Sequence, residues 1–196
     1  MNVYDFDKTI FKTDSTVGLV KYLYVHRPKT LLSIPRTVLF GLGYGLHIIP
    51  KLTFKTNLYH MFVFVDDMDE VLDKYVDAKI GNVQKWYYDQ QKEDDVIISA
   101  SPEFLIQRFA KKLGVKYAMA SRVDMNTGAY DGLNCHGKEK VRRFYECFPN
   151  GNIDGFWSDS LSDTPLAAIA KEAYIVKGEQ RLPWPKEAIL KEKEGN

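Results

Sequence analysis

Two carboxylates stand two residues apart at the start of the chain, in the run Val3-Tyr-Asp5-Phe-Asp7-Lys-Thr9. The apolar run before them predicts a buried strand, and strand side chains alternate with a period of two. Asp5 and Asp7 are therefore expected on one face where the strand ends. Two like charges held so close are costly unless a cation or a proton separates them. The pair indicates metal-assisted chemistry with one carboxylate as nucleophile and the other as acid and base. The alternative is an ordinary polar turn.

Further groups able to bind anions or cations stand at later strand ends and helix starts. These candidate site residues are Ser99, Ala100, Ser101, Lys138, Lys140, Asp159 and Asp163. The first three precede a predicted helix, whose free N–H groups can bind an anion. Because an open α/β sheet binds ligands at the carboxyl ends of its strands, we expect all of these groups to meet in one site.

Predicted strands and helices alternate through most of the chain. The strands are expected over residues 3–6, 95–99, 115–122, 153–158 and 173–177, and the helices over 102–113, 138–148 and 164–170. Turn residues within 124–134 are typical of a β-hairpin. The alternation predicts an α/β fold with a Rossmann-like, doubly wound, mostly parallel sheet.

The segment 14–92 breaks this alternation with long helical periodicity and one ambiguous apolar run at 61–65. We interpret it as a helical cap, or lid, inserted after the first strand. Residues 1–13 and 93–196 would then form the Rossmann-like catalytic core.

The bulk composition excludes several classes of protein. The 196 residues contain 27 Lys and Arg against 26 Asp and Glu, so no basic field indicates a nucleic-acid partner. Cys135 and Cys147 lack the CxxC spacing of a zinc or redox site and do not indicate a disulfide framework. We therefore expect a cytoplasmic protein. No signal peptide is expected either, since the chain opens on the first strand.

The most apolar stretch, residues 31–50, is about as long as a membrane span. Arg36, His47, a proline and three glycines interrupt it. A crossing there would also put Asp5 and Ser99 on opposite sides of the membrane, although they are expected in one site. We therefore predict no spanning segment, and the alternatives are ordinary cap packing or membrane-surface contact through the cap.

Four motifs, taken in order, resemble those of the haloacid dehalogenase superfamily of phosphohydrolases, most closely the branch containing phosphoserine phosphatase. They are Asp5-Phe-Asp7-Lys-Thr9, Ile98-Ser99, Lys138, and Ser158-Asp159-Ser-Leu-Ser-Asp163. The resemblance implies Mg²⁺-dependent hydrolysis of a phosphate monoester. Asp5 would become an aspartyl-phosphate, and Asp7 would protonate the leaving oxygen and then activate water.

The same resemblance implies roles for the remaining motif residues. Ser99 would hold the phosphoryl oxygens, with Thr9, Ala100 and Ser101 beside the substrate. A lysine would neutralise Asp5 and the phosphate. The metal ligands would be drawn from four carboxylates: Asp5, Asp7, Asp159 and Asp163.

Two lysines compete for the third motif. The pattern Gly137-Lys138-Glu-Lys140-Val141 resembles that of phosphoserine phosphatase through its first lysine. A neighbouring branch of phosphatidylglycerophosphatase-like proteins has Cys-x-Gly-x-x-Lys-Val, which Cys135-His-Gly137-Lys-Glu-Lys140-Val141 also matches. We favour Lys138 and keep Lys140 as the alternative.

The substrate is expected to be a small phosphorylated metabolite such as phosphoserine, with a lipid or isoprenoid phosphate as the alternative. Asp14 stands where phosphoserine phosphatases place the glutamate that meets the substrate amine, and it would equally cap the first cap helix. Arg27, Arg36 and His47 are candidate cap contacts for an anionic substrate or ordinary surface residues. In a third hypothesis the chain is a non-catalytic module phosphorylated on Asp5.

Overall fold

A six-stranded sheet forms the centre of the protein in the computed structural model, which describes residues 1–195. Its strands are β1 (Asn2–Tyr4), β2 (Val96–Pro102), β3 (Tyr117–Ser121), β4 (Ile153–Ser158), β5 (Ala170–Lys177) and β6 (Gln180–Pro183). The strand order is β3-β2-β1-β4-β5-β6, with the first five strands parallel and β6 antiparallel to β5. This arrangement confirms the predicted Rossmann-like α/β fold.

Alternating side chains bury both faces of the central strands. Val3 in β1 pairs with Val96 in β2, and both belong to one hydrophobic cluster. The next pair, Tyr4 and Ile97, belongs to the cluster on the opposite face. A strand covered on both faces needs an unbroken apolar run, which is why the short run before Asp5 forms the middle of the sheet.

Helices cover the sheet and fill the segment between β1 and β2. They are α1 (Ser15–His26), α2 (Ile34–Gly45), α3 (Lys51–Tyr59), α4 (Met68–Lys79), α5 (Lys85–Gln90), α6 (Glu103–Leu113), α7 (Lys138–Cys147), α8 (Thr164–Ala167) and α9 (Lys186–Glu194). Short 3₁₀ helices occur at Pro28–Ser33, His60–Phe64, Ile80–Asn82 and Leu161–Asp163.

The segment between β1 and β2 contains α1 to α5 and no strand among its described residues. The ambiguous run at 61–65 is mostly 3₁₀ helix. Leu19 of α1 and Leu72 of α4 share a hydrophobic cluster with Phe6, which follows β1, and with Phe109 of α6. The inserted helices are therefore anchored on the sheet, and their division from it as a cap at residues 14–92 stays a prediction.

Some element bounds differ from those expected. The hairpin expected at 124–134 is a turn with one isolated bridge, Val123 to Tyr130, because Asp124 accepts hydrogen bonds from Asn126 and Thr127. The edge strand β6 and the helix α9 were not predicted, since β6 is wholly exposed and lacks an apolar pattern. Among residues 1–195, no helix combines the length and the hydropathy needed to cross a membrane.

Candidate active site

The candidate site lies at the carboxyl edge of the sheet, between β1 and β4. The strand order reverses there, with β2 and β3 on one side of β1 and β4 and β5 on the other, and open α/β sheets bind ligands at such a point. A pocket of about 310 Å³ opens at this edge. Candidate residues from every motif line it: Asp5, Asp7, Ser99, Ala100, Ser101, Lys140, Asp159 and Asp163.

Asp5 is held in place from three directions. Its backbone N–H donates to the carbonyl of Trp157 in β4 at 2.8 Å. Its Oδ1 accepts from Lys140 Nζ at 2.7 Å, and its Oδ2 accepts from the Thr9 hydroxyl at 3.1 Å. Burial raises the pKa of Asp5, and the ammonium group of Lys140 opposes that rise. This side chain therefore faces the pocket with a fixed orientation.

Lys140 lies between two carboxylates beneath the pocket. Its Nζ donates to Asp163 Oδ2 at 2.7 Å as well as to Asp5, and Ser158 Oγ donates to the same oxygen of Asp163 at 2.7 Å. Burial by itself would lower the pKa of Lys140, but Asp5 and Asp163 more than reverse the effect, so the net pKa is raised. Lys140 therefore stays protonated.

The structure places Lys140, and not the favoured Lys138, at the pocket. Its side chain is 69% exposed, is absent from the pocket lining and pairs with Glu192 at 3.9 Å, whereas that of Lys140 is 2% exposed. The two residues are separated by about 200° around α7, so only one of them can face the sheet. Lys140 shares its face with the buried Phe144, four residues later, a spacing that the sequence contained.

Asp7 is fixed by the start of α1 and by the end of β2. Its Oδ1 accepts from the backbone N–H of Ser15 at 2.6 Å, and its Oδ2 accepts from the hydroxyl of Ser101. Burial raises the pKa of Asp7 to about 6, with a further contribution from the charge of Asp14, although both serines lower it. Asp7 can therefore hold or release a proton near neutral pH.

Thr9 and Ser99 serve the site in different ways. Thr9 lies outside the pocket lining, and its hydroxyl joins Asp5 to the loop after β4 by accepting from the backbone N–H of Asp159 at 2.9 Å. Thr9 is therefore placed to position Asp5 and lies outside the pocket in which the sequence predicted a substrate contact. Ser99 does line the pocket, and its hydroxyl accepts from the backbone N–H of Ser101 at 3.1 Å.

Of the substrate contacts predicted in the inserted segment, Asp14 lies at the pocket and the others lie outside it. Asp14 lines the pocket and also caps α1, because its Oδ1 accepts from the N–H of Val17 at 2.8 Å. Arg36 was predicted to contact the substrate, but it is absent from the lining and donates to Asn57 Oδ1 at 2.7 Å within the helical segment. Arg27 pairs with Asp67, and His47 also lies outside the lining.

Two basic residues of α3 line the pocket and were missed. Lys55 Nζ donates to the carbonyl of Ala100 at 2.9 Å and to Asn134 Oδ1 at 3.0 Å. Burial lowers the pKa of Lys55 to about 8, and the charge of Lys51 lowers it further. The signal in the sequence was the i, i+4 spacing of Lys51 and Lys55, which places both on one helix face.

The donor set beneath the pocket fits a magnesium ion. The carboxylates of Asp5, Asp7, Asp159 and Asp163 line the pocket together with the ammonium group of Lys140, and burial raises the pKa of Asp159 as well. Asp163 Oδ1 is buried and has no hydrogen-bond partner in the described part of the chain. Residues 1–195 hold no ready group of three or more His, Cys, Asp or Glu for a metal. Mg²⁺, however, commonly takes one or two carboxylates and completes its shell with water and phosphate oxygens.

Comparison with known proteins identifies the family. The sequence model of the haloacid dehalogenase-like hydrolase family matches residues 3–168. The chain belongs to this family. Protein CicA of Caulobacter vibrioides is 36% identical over 83 residues, which cover 39% of this chain and 37% of CicA.

Two solved structures share the fold of this hydrolase. A protein of unknown function from Bordetella pertussis has a TM-score of 0.72 at 14% identity, over 100% of this chain and 95% of that one. A phosphoserine phosphatase, solved as an analogue of its phospho-aspartyl intermediate, has a TM-score of 0.51 at 17% identity, over 96% of each chain. At these identities the likeness establishes the fold.

Proposed function

We propose that this hydrolase cleaves phosphate monoesters through an aspartyl-phosphate on Asp5, with magnesium as cofactor. One observation carries the proposal. Asp5 lies in the pocket, 2.7 Å from the ammonium group of Lys140, with Asp7 held nearby by Ser15 and Ser101. A nucleophile, a separate acid and a fixed cation are what phosphoryl transfer to a carboxylate requires.

The reaction would proceed in two successive displacements at phosphorus, first by Asp5 and then by water. A carboxylate oxygen of Asp5 attacks phosphorus, the bond from phosphorus to the ester oxygen breaks, and Asp7 gives its proton to the leaving alcohol. In the second step Asp7 takes a proton from water, the water oxygen attacks phosphorus, and Asp5 leaves with inorganic phosphate released.

The raised pKa of Asp7 suits both of its roles. A carboxyl group with a pKa of about 6 is partly protonated near neutral pH, so it can act as an acid and then as a base. The backbone N–H of Ser15 and the hydroxyl of Ser101 keep its orientation the same in both steps.

The remaining charges are assigned to the phosphoryl group. Magnesium, when bound, would neutralise charge on the phosphoryl oxygens, and Asp5 and Asp159 would hold it, with Asp7 and Asp163 beside them. Lys140 adds a fixed positive charge next to Asp5, and the Ser99 hydroxyl faces the same pocket. Thr9 keeps Asp5 and the Asp159 loop in register.

The substrate that we propose first is a small phosphorylated metabolite such as phosphoserine. The pocket offers charges of both signs beyond the phosphate position, with Asp14 for an amine and Lys51 and Lys55 for a carboxylate. A lipid phosphate monoester is the second candidate. The observation that favours it is the exposed apolar face of α2, a helix that lines the same pocket from its other side through Tyr44.

The alternative of a non-catalytic phospho-acceptor conflicts with the position of Asp7. A stable phospho-acceptor has no use for an acid and base beside the phosphorylated residue.

The inserted helices, proposed here as a cap, would close over the phosphoryl group and exclude water.

The proposal is tested with a panel of phosphate esters, with and without magnesium: para-nitrophenyl phosphate, phosphoserine, sugar phosphates and a lipid phosphate in detergent. We expect magnesium-dependent release of phosphate, and a loss of roughly a thousandfold or more in Asp5→Asn with an unchanged circular dichroism spectrum. Turnover that persists in Asp5→Asn would remove Asp5 as the nucleophile. A folded wild-type protein with no activity on any ester would favour the non-catalytic module.

A further inference from the structure

Helix α2 presents an apolar face to solvent. None of its described residues is buried, and Val38, Leu39 and Leu42 project from one side with exposed fractions of 53%, 66% and 61%. Leu32 before the helix and Leu46 after it are exposed as well. These five residues are called the α2 surface below. Nine of the 19 exposed large hydrophobic residues of the described chain fall within residues 31–48, so the exposure is concentrated here.

The opposite side of α2 already has its partner within the chain. Tyr44 stacks on Phe54 of α3, with ring centroids 5.4 Å apart, and a Cβ at Gly41 would lie 3.5 Å from the same ring. Arg36 donates to Asn57 of α3. The α2 surface therefore points away from α3, and a solvent-facing helix side normally carries polar residues. An exposed apolar cluster of this kind marks an interaction site.

The segment that carries this surface is basic, and Arg27 and Lys29 within it pair with Asp67 and Asp66 just beyond it. Residues 15–65 contain six of the 27 Lys and Arg residues and none of the 26 Asp and Glu residues. The rest of the chain therefore carries more acidic than basic residues. On this segment Lys21, Arg36 and Lys51 are exposed. An apolar helix face on a segment with exposed basic residues fits an anionic lipid surface, where apolar burial and electrostatic attraction act together.

We propose that the α2 surface docks on an anionic phospholipid bilayer, with the helix lying along the interface. Helices α2 and α3 also line the candidate active site, on the side away from the α2 surface. The lining residues are Tyr44 of α2 and Lys51, Phe54 and Lys55 of α3. Docking by α2 therefore places the mouth of the pocket beside the lipid headgroups. Resting on the function proposed above, this position gives the enzyme access to a phosphate monoester carried by a lipid.

Vesicle co-sedimentation tests the docking without any need for activity. The probes are vesicles of phosphatidylcholine alone and of phosphatidylcholine mixed with phosphatidylglycerol, each at low and high salt. The variant is the double substitution Leu39→Glu and Leu42→Glu. The matched control is Leu190→Glu on α9, where an equally exposed leucine (57%) lies outside the α2 surface.

We expect the wild type and Leu190→Glu to sediment with the phosphatidylglycerol vesicles, and less so at high salt. The double variant should lose roughly tenfold or more of this binding while keeping its circular dichroism spectrum. Wild type that stays in the supernatant with both vesicle types would overturn the proposal. So would equal binding by the double variant.

Two further measurements separate the outcomes. Light scattering of the wild type shows whether a second copy covers α2. A dimer that the double variant dissociates, without vesicle binding, would assign the surface to self-association and overturn membrane docking. Hydrolysis of para-nitrophenyl phosphate by the same preparations tests the proposed function separately. Wild type that is inactive but still binds vesicles would reject the proposed phosphatase function and leave the docking proposal standing. Wild type that is active but does not bind vesicles would reject docking and leave the phosphatase function standing.

Discussion

Lys140 forms a buried ion cluster with two carboxylates beneath the pocket. The lysine is 2% exposed and lies 2.7 Å from both Asp5 and Asp163. Removing one member of a buried ion cluster leaves the others uncompensated, which costs about 3–5 kcal/mol. The same charge would stabilise the phosphoryl group during transfer, so this residue contributes to stability and to the proposed chemistry together.

We predict that Lys140→Ala lowers kcat/KM by roughly 10²–10⁴-fold and lowers the urea midpoint of unfolding. Lys138→Ala is the matched control on the same helix, and we expect it to stay within a few-fold of wild type because its exposed ammonium group is outside the pocket. The measurement is steady-state hydrolysis together with urea unfolding. If Lys138→Ala were the more damaging substitution, the assignment of the motif lysine to Lys140 would be wrong.

Strand β2 begins from a buried carboxylate that the proposed chemistry does not use. Asp95 precedes the strand, and its Oδ2 accepts from the backbone N–H of Lys92 at 2.9 Å. Its Oδ1 is buried and lacks a partner in the described chain. Burial raises the pKa of Asp95 to about 6, although the bond from Lys92 opposes the rise. The ionised form is therefore destabilising in the folded state.

A raised folded-state pKa gives a defined pH dependence. Below about pH 4, Asp95 is protonated in both the folded and the unfolded protein, and its favourable contribution to folding is complete. As the pH rises to about 6 the contribution is lost, because the unfolded chain ionises first. We predict that the free energy of unfolding of wild type, relative to Asp95→Asn, declines across this interval. Urea unfolding of both proteins at several pH values measures the difference, and a constant difference would refute the prediction.

At the scale of the whole molecule, Lys55 joins the inserted helices to the sheet. It belongs to α3, and its ammonium group donates to the carbonyl of Ala100 directly after Ser99. The same group lines the pocket with no carboxylate among its hydrogen-bond partners in the described chain. A half-buried cation in this position is available to an anionic substrate, and partial burial holds its pKa at about 8.

We predict that KM for an anionic phosphate ester rises above about pH 8 in the wild type, because Lys55 loses its proton there. Lys55→Met should show a KM raised roughly tenfold at neutral pH and little further change. Lys55→Arg keeps its charge and should not show the rise. The measurement is KM and kcat against pH for the three proteins. Parallel KM profiles in wild type and Lys55→Met would exclude Lys55 as the titrating group.

The sequence by itself determined the sheet and the positions of its polar ends. The run Val3-Tyr4 and the strand before Ser99 are continuous apolar segments, and the strand before Asp159 is mainly apolar but contains Asp154. A segment of that kind is buried on both faces wherever it packs, so the carboxylates after it must emerge at one edge. These are local properties of the chain, and the family motifs depend on the same local spacing. The α/β fold was therefore predictable before any contact was known.

Only the tertiary structure decided which side chains of helices and loops enter the pocket. Lys138 and Lys140 differ by a rotation about α7, and the packing of Phe144 against the sheet selects Lys140. Likewise, Arg36 turns toward Asn57 while Lys55 reaches Ala100, because the contact of α2 with α3 sets both orientations. A helix offers several faces of similar local propensity, and the choice between them is made by contacts between residues far apart in sequence.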